Sequence, residues 1–225
     1  MPDLNLDCPA VREEIEKITK FWIGKGVKAF RLDAIRYYYV GDTTKNCEFL
    51  TWLIDTAHKY DPDFYMVGED WGSTTEIINH YNSKCDSFFN FSSSRESSAN
   101  ESIINTAKGT YSATKFAKAI EELEKQIKNN NPNGYSSYFL SNHDMDRVSD
   151  SLTNIKRAKL ASALYLLLPG TPFIYYGEEI QMKGKRNTSP DDLSDARRRL
   201  PMVWEKGNND GLCAFPEQSR PDLDN

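Results

Sequence analysis

Amphipathic helices that alternate with short apolar strands, and acids placed just past the strands' C-terminal ends, predict an α/β fold of the (β/α)8 TIM-barrel type. The chain holds about strands four to eight of such a barrel. Three observations carry this expectation. Helix and strand patterns take turns along nearly the whole sequence. Asp33, Glu69, Asp144 and the segment YYGEE each follow a different strand, as active-site groups of a barrel do. No GxGxxG or Walker loop follows any strand, which weakens a nucleotide-binding doubly wound sheet.

The elements follow in order. In CPAVREEIEKITKFWIGKG the apolar Val11, Ile15, Ile18 and Trp22 recur at spacings of four, three and four, with Pro9 near the start and Gly24 and Gly26 near the end. That is the pattern of an amphipathic helix. VKAFRL reads as a short strand leading to Asp33. CEFLTWLIDTAHKY is helical, and FYMVG is a buried strand ending at Glu69. SFFNF then reads as a strand, SATKFAKAIEELEKQIKNN as a helix, SYFLS as a strand, IKRAKLASALYLLL as a helix and PFIYYG as a strand. Trp22 and Trp52, at helical spacing, are expected in the core, and His58 and His80 are expected to be structural. SSSRESSANES, residues 92 to 102, is expected to form a rim loop beside the active face, and DDLSDARRR a solvated loop. Five strands cannot close a barrel and would leave sheet edges uncovered. Residues 1–225 are therefore expected to be the second half of a larger catalytic barrel, with the first strands upstream.

Composition narrows the function. The 225 residues are 39% hydrophobic and 12% aromatic, which suits a folded domain with a real core. A net charge of −5 and a pI near 5.3 favour a neutral or small-molecule partner over nucleic acid. Cys8, Cys47, Cys85 and Cys213 are far apart, with no CxxC, so a zinc cluster is not expected and disulfides are permitted without being required. The first residues form no secretory leader, and no run approaches the roughly 18 apolar residues of a membrane span.

Arg31 and Asp33 lie two residues apart on a strand and so share a face. A buried arginine there would orient the carboxylate as a nucleophile needs. Taken alone, Asp33 reads first as an acid that ends a strand, and Arg31 beside it is what shifts the reading toward function. Glu69 follows an apolar strand beside Trp71, a setting whose partial desolvation suits a proton donor. Taken alone, it reads equally as a cap for the next helix. Carboxylates on adjacent barrel strands can lie about 5 Å apart, the separation of a retaining glycosidase. Asp144, in FLSNHDMDR, adds a third acid beside Asn142 and His143, whose side chains can bond sugar hydroxyls.

In these residues the chain resembles the α-amylase family of glycoside hydrolases. AFRLDAIRY is similar to the family's second motif, VGEDW to its third and FLSNHD to its fourth. MPDLN resembles its accessory motif, and PGTPFIYYGEEIQM with RRLPMVW resembles the strand-eight region and the loop after it. The resemblance implies that Asp33 is the nucleophile, Glu69 the general acid/base and Asp144 the acid that stabilises the transition state. It further implies that Arg31 orients Asp33, that His143 binds the sugar, and that Arg147 and Arg199 lie near the substrate. Trp71 and Trp204 are candidates for stacking on sugar rings. The family's first motif, most of its inserted domain and its C-terminal β-domain are absent. Tyr37 stands where many relatives carry a histidine, which bears on acceptor contacts and on a calcium ion possible in the full-length protein. No cofactor or metal ligand is otherwise read from the sequence. Ala34, directly after Asp33, is the residue usual in α-1,4-acting members, where α-1,6-acting ones often have valine.

The expected function is retaining hydrolysis of α-1,4 bonds in starch or maltooligosaccharides. The alternatives are an exo-acting α-glucosidase, oligo-1,6-glucosidase or transglycosylase of the same family, and a non-catalytic carbohydrate-binding relative. The 225-residue piece alone is expected to be inactive. A polymeric α-glucan substrate would favour export from the cell.

Overall fold

The computed structural model describes residues 3–94, 102–186 and 195–202, which fall into two compact units. The first draws on Met1–Phe91, Ala119–Ser137 and Pro169–Thr171, the second on Ser92–Lys118, Tyr138–Leu168 and Pro172–Asn225. In chain order the elements are α1 (Pro9–Gly24), β1 (Ala29–Leu32), α2 (Thr43–His58), β2 (Tyr65–Gly68), α3 (Thr74–His80), β3 (Ser87–Phe89), α4 (Phe91–Ser94), α5 (Ile103–Lys108), α6 (Ala113–Asn130), β4 (Tyr135–Tyr138), α7 (Val148–Ser151), α8 (Ile155–Leu167) and β5 (Thr171–Pro172). Single 3-10 turns occupy Ile35–Tyr37 and Ala196–Arg198.

The strands form one sheet in the order β1-β2-β3-β4-β5, and the first three pairings are parallel. Sequential order without a reversal is the pattern of a barrel sector, whereas a doubly wound sheet reverses its order at a switch point. Among the described residues β1 and β5 are the two edges, so the sheet is open.

The first unit shows why these residues make these elements. Side chains alternate along each strand. Leu32, Met66 and Phe88 are buried with Phe49, Leu50 and Ile54 of α2, Ile77 and Ile78 of α3, and Leu123 and Ile127 of α6. Arg31, Asp33 and Glu69 take the other face. Gly68 is needed at the end of β2, because a Cβ there would meet the Phe88 ring at 2.5 Å. The absent side chain lets Phe88 close the core directly beneath the strand end that carries Glu69.

Three expectations are corrected. α1 forms with Pro9 in its first turn, but Trp22 is 48% exposed and Thr19 is the helix's buried residue. Periodicity located the helix and misjudged what covers that face. Trp52 does pack against the core, with the Arg12 guanidinium 4.9 Å above its ring. The fourth strand lies at YSSY, earlier than SYFLS. Its serines are buried through hydroxyl pairing, Ser87 Oγ to Ser137 Oγ at 2.7 Å and Ser87 Oγ to Tyr65 Oη at 2.6 Å. Of PFIYYG only Pro172 remains in a strand, because Tyr175 and Tyr176 leave the sheet to hold Arg147. Cys8, Cys47 and Cys85 are free thiols. Trp204 and Cys213 lie outside the described residues, as do most of the expected rim loop and the start of DDLSDARRR.

Candidate active site

The register Leu32↔Gly68 sets Asp33 beside Glu69, each the first residue past its strand. Paired strands run about 4.8 Å apart, so the two acids emerge as neighbours. Arg31 grips both: Nη1 lies 2.6 Å from Asp33 Oδ1 and Nη2 lies 2.9 Å from Glu69 Oε1. Glu69 Oε1 also accepts from Trp71 Nε1 at 2.7 Å, and Oε2 accepts from the Ala34 amide at 3.1 Å. Its side chain is only 7% exposed, while that of Asp33 is 75% exposed. One acid is thus fixed on every side, and its neighbour is held at one oxygen and open to a ligand. Arg31 was expected to be buried, yet it is partly exposed, because β1 is a sheet edge among the described residues.

Backbone geometry sets this arrangement. Ala34 takes a left-handed conformation, φ 48° and ψ 43°, which costs a non-glycine residue roughly 1–2 kcal/mol. The turn aims its amide at Glu69 and lets Ile35 N–H donate to the Glu69 carbonyl at 3.1 Å. Arg36 then donates to the Trp71 carbonyl at 3.3 Å and pairs with Glu76 at 3.1 Å. Glu76 in turn closes a capping box with Ser73 that starts α3. Burial, and then the charge of Asp33, pushes the Tyr38 phenol well above its usual range, so that it stays protonated beside the acids. Tyr37 is 56% exposed, with the Arg36 guanidinium 5.5 Å from its ring. Trp71 was expected to stack on a sugar. Its indole N–H goes to Glu69 and its ring packs 4.5 Å from Phe91, so it also orients the acid.

The second unit assembles its own cluster. Asn142 Oδ1 accepts from the Asp144 amide at 2.9 Å, turning the chain so that the Asp144 carboxylate meets His143 Nε2 at 3.0 Å and Arg199 Nη2 at 2.7 Å. Arg199 Nε also donates to the His143 carbonyl at 3.0 Å. His143, Asp144 and Arg199 keep exposed side-chain surface and can meet a ligand. Arg147 cannot in this structure. It is 1% exposed, its guanidinium lies 4.6 Å from the rings of both Tyr175 and Tyr176, and it donates to the Tyr176 carbonyl at 2.6 Å. It holds the loop after β5 rather than a substrate.

Sequence reading missed several residues. Arg198, not Arg199, is the buried member of its run, and it pairs with Asp146 at 3.0 Å while donating to the Asp144 carbonyl. Arg36 was also missed. It sits in the short turn Ile35–Tyr37, where no periodic pattern marks it, and only the fold brings it to Trp71 and Glu76. Among the described residues no group of three or more His, Cys, Asp or Glu side chains is placed to hold a metal ion. Nor is any described helix long and apolar enough to cross a membrane.

Comparison with known proteins gives a consistent set of likenesses. Residues 1–219 match the model of the alpha amylase catalytic domain. The chain is 41% identical over 208 residues to Alpha-amylase 3 of Dictyoglomus thermophilum, covering 91% of this chain and 38% of that protein. It is 31% identical over 267 residues to Glucan 1,6-alpha-glucosidase of Streptococcus dysgalactiae subsp. equisimilis, covering 98% of this chain and 49% of that protein. The solved structure of Eubacterium rectale Amy13B superposes with a TM-score of 0.85 at 36% identity, over 98% of this chain and 42% of that one. The chain thus spans less than half the length of each of these relatives.

Proposed function

The chain belongs to the α-amylase family of glycoside hydrolases, and from that premise we propose that it supplies the acids of a retaining hydrolase of α-1,4-glucosidic bonds in starch or maltooligosaccharides. The observation that carries this reading is the single guanidinium of Arg31 that grips both Asp33 and Glu69 at adjacent strand ends. A retaining mechanism needs its two carboxyl groups roughly 5 Å apart, without room for a water between them and the sugar. In the first step Asp33 attacks the anomeric carbon as Glu69 gives a proton to the departing glycosidic oxygen. In the second, Glu69 takes a proton from water, which displaces Asp33 from the sugar. Asp144, paired with His143 and Arg199, would carry negative charge toward the oxocarbenium-like transition state.

In a chain that carries the whole barrel, Asp33→Asn and Glu69→Gln should each lower kcat by roughly 10²- to 10⁴-fold with little change in substrate binding. Full activity in either variant would sink the assignment. The second reading, an α-1,6- or exo-acting glucosidase, is favoured by the likeness to Glucan 1,6-alpha-glucosidase and to Oligo-1,6-glucosidase of Bacillus cereus. The same assay decides it from the products formed on maltoheptaose and isomaltose. Cleavage of isomaltose with starch untouched would replace the first reading by the second.

A further inference from the structure

Directly behind Glu69 lies a second acid that the mechanism does not use. Asp70 is 0% exposed, and its Oδ2 lies 2.8 Å from Nδ1 of His80, the last residue of α3, which is itself buried. Burying such a pair is costly, and here two of its atoms, Asp70 Oδ1 and His80 Nε2, have no hydrogen-bond partner among the described residues. Side chains past β2 still alternate: Glu69 and Trp71 turn one way and bond to each other, while Asp70 turns the other way, toward α3. Gly72 wraps closely over the buried acid, since a Cβ there would lie 2.8 Å from Asp70 Oδ1. The far end of the link is firm as well. The His80 carbonyl accepts from Ser83 Oγ at 2.7 Å, and α3 opens on the Ser73–Glu76 capping box.

We propose that Asp70 and His80 are positioning residues, a buried clamp between the end of β2 and the end of α3 that keeps Glu69 and Trp71 turned into the site. That Glu69 is the acid/base rests on the function proposed above, but the clamp is a statement about position and can be tested without turnover.

The test uses the indole N–H signals of the 15N-labelled 225-residue chain, which has four tryptophans. Trp71 is assigned by the loss of one signal in Trp71→Phe. Asp70→Asn, which can still accept from His80, should leave the Trp71 signal in place. Asp70→Ala should displace it or broaden it away. If Asp70→Ala does not fold, His80→Phe makes the same comparison with a ring that cannot pair. Leu50→Ala, a cavity in the same core, is the control for general loosening and should leave the signal unmoved. The clamp is overturned if the signal stays in place in Asp70→Ala or His80→Phe, if Asp70→Asn moves it as far as Asp70→Ala does, or if Leu50→Ala moves it equally. Loss of turnover in Glu69→Gln is a separate readout, so failure of the clamp and failure of the acid/base assignment are distinguishable.

Discussion

At the scale of single residues, Ala34 connects backbone strain to the site. Its left-handed turn is the means by which one amide reaches Glu69 Oε2 while the preceding side chain, Asp33, stays at Arg31. A β-branched residue tolerates φ near 48° far worse than alanine, whereas glycine tolerates it without penalty. Ala34→Val should therefore destabilise the first unit by about 1–2 kcal/mol, and Ala34→Gly should remain within about 1 kcal/mol of the parent, since relief of strain offsets the greater freedom of the unfolded chain. Urea midpoints measure both. Equal stability of the two variants would show that the turn carries no strain. This bears on the proposed linkage preference too, because Ala34, directly after the proposed nucleophile Asp33, was the one position at which the sequence leaned toward α-1,4 action. Any valine there has to be accommodated by a change in the turn itself.

At the scale of elements, the loop after β5 carries a pH-sensitive contact within the second unit. Burial pushes the Glu178 carboxyl up to about 7 from its ordinary 4.5, against the opposing effect of a hydrogen bond from Ser141 and the charge of Arg147. Its Oε1 accepts from Ser141 Oγ, its Oε2 has no partner among the described residues, and Tyr165 of α8 and Glu179 are the other titratable groups nearby. The folded state holds this proton more tightly than the unfolded state. The stabilisation is therefore complete below pH 4.5 and lost as pH rises through 7, a change of about 3 kcal/mol. Denaturant titrations of the second unit at pH 5 and pH 8 should show the loss, and Glu178→Gln, which keeps the shape without the proton, should flatten it. An unchanged slope in that variant would assign the pH dependence elsewhere. Sequence patterning placed most of these elements because apolar periodicity is local. It put β4 late, since the buried face of YSSY is made of serine hydroxyls that pair across strands, and no local pattern encodes that pairing. Asp33 and Glu69 were legible as polar residues directly after apolar strands, and Asp144 through the segment FLSNHD rather than through a strand end. Arg36, Arg198 and the Asp70–His80 pair were not, because each matters only through a partner that the fold, and no local pattern, brings to it.

At the scale of the molecule, the five strands among the described residues run in sequential order with β1 and β5 at the edges, and the chain covers 38% to 49% of the relatives compared above. A retaining glycosidase must hold the sugar from several strand ends at once, because most of its rate comes from positioning and from charge placed in a site closed to water. Among the described residues Asp33 remains 75% exposed and Arg31 partly so, both at the β1 edge, where solvent screens the charges that catalysis requires. The 225-residue chain on its own should therefore show no measurable hydrolysis of starch or maltoheptaose, even with Asp33, Glu69 and Asp144 all present. Supplying a segment that pairs with β1 and completes the barrel should restore turnover, and Glu69→Gln in the same mixture should abolish it. Reducing-sugar release measures all three cases. Turnover by the isolated chain, lost in Glu69→Gln, would mean that these strand ends suffice as an active site without a closed barrel.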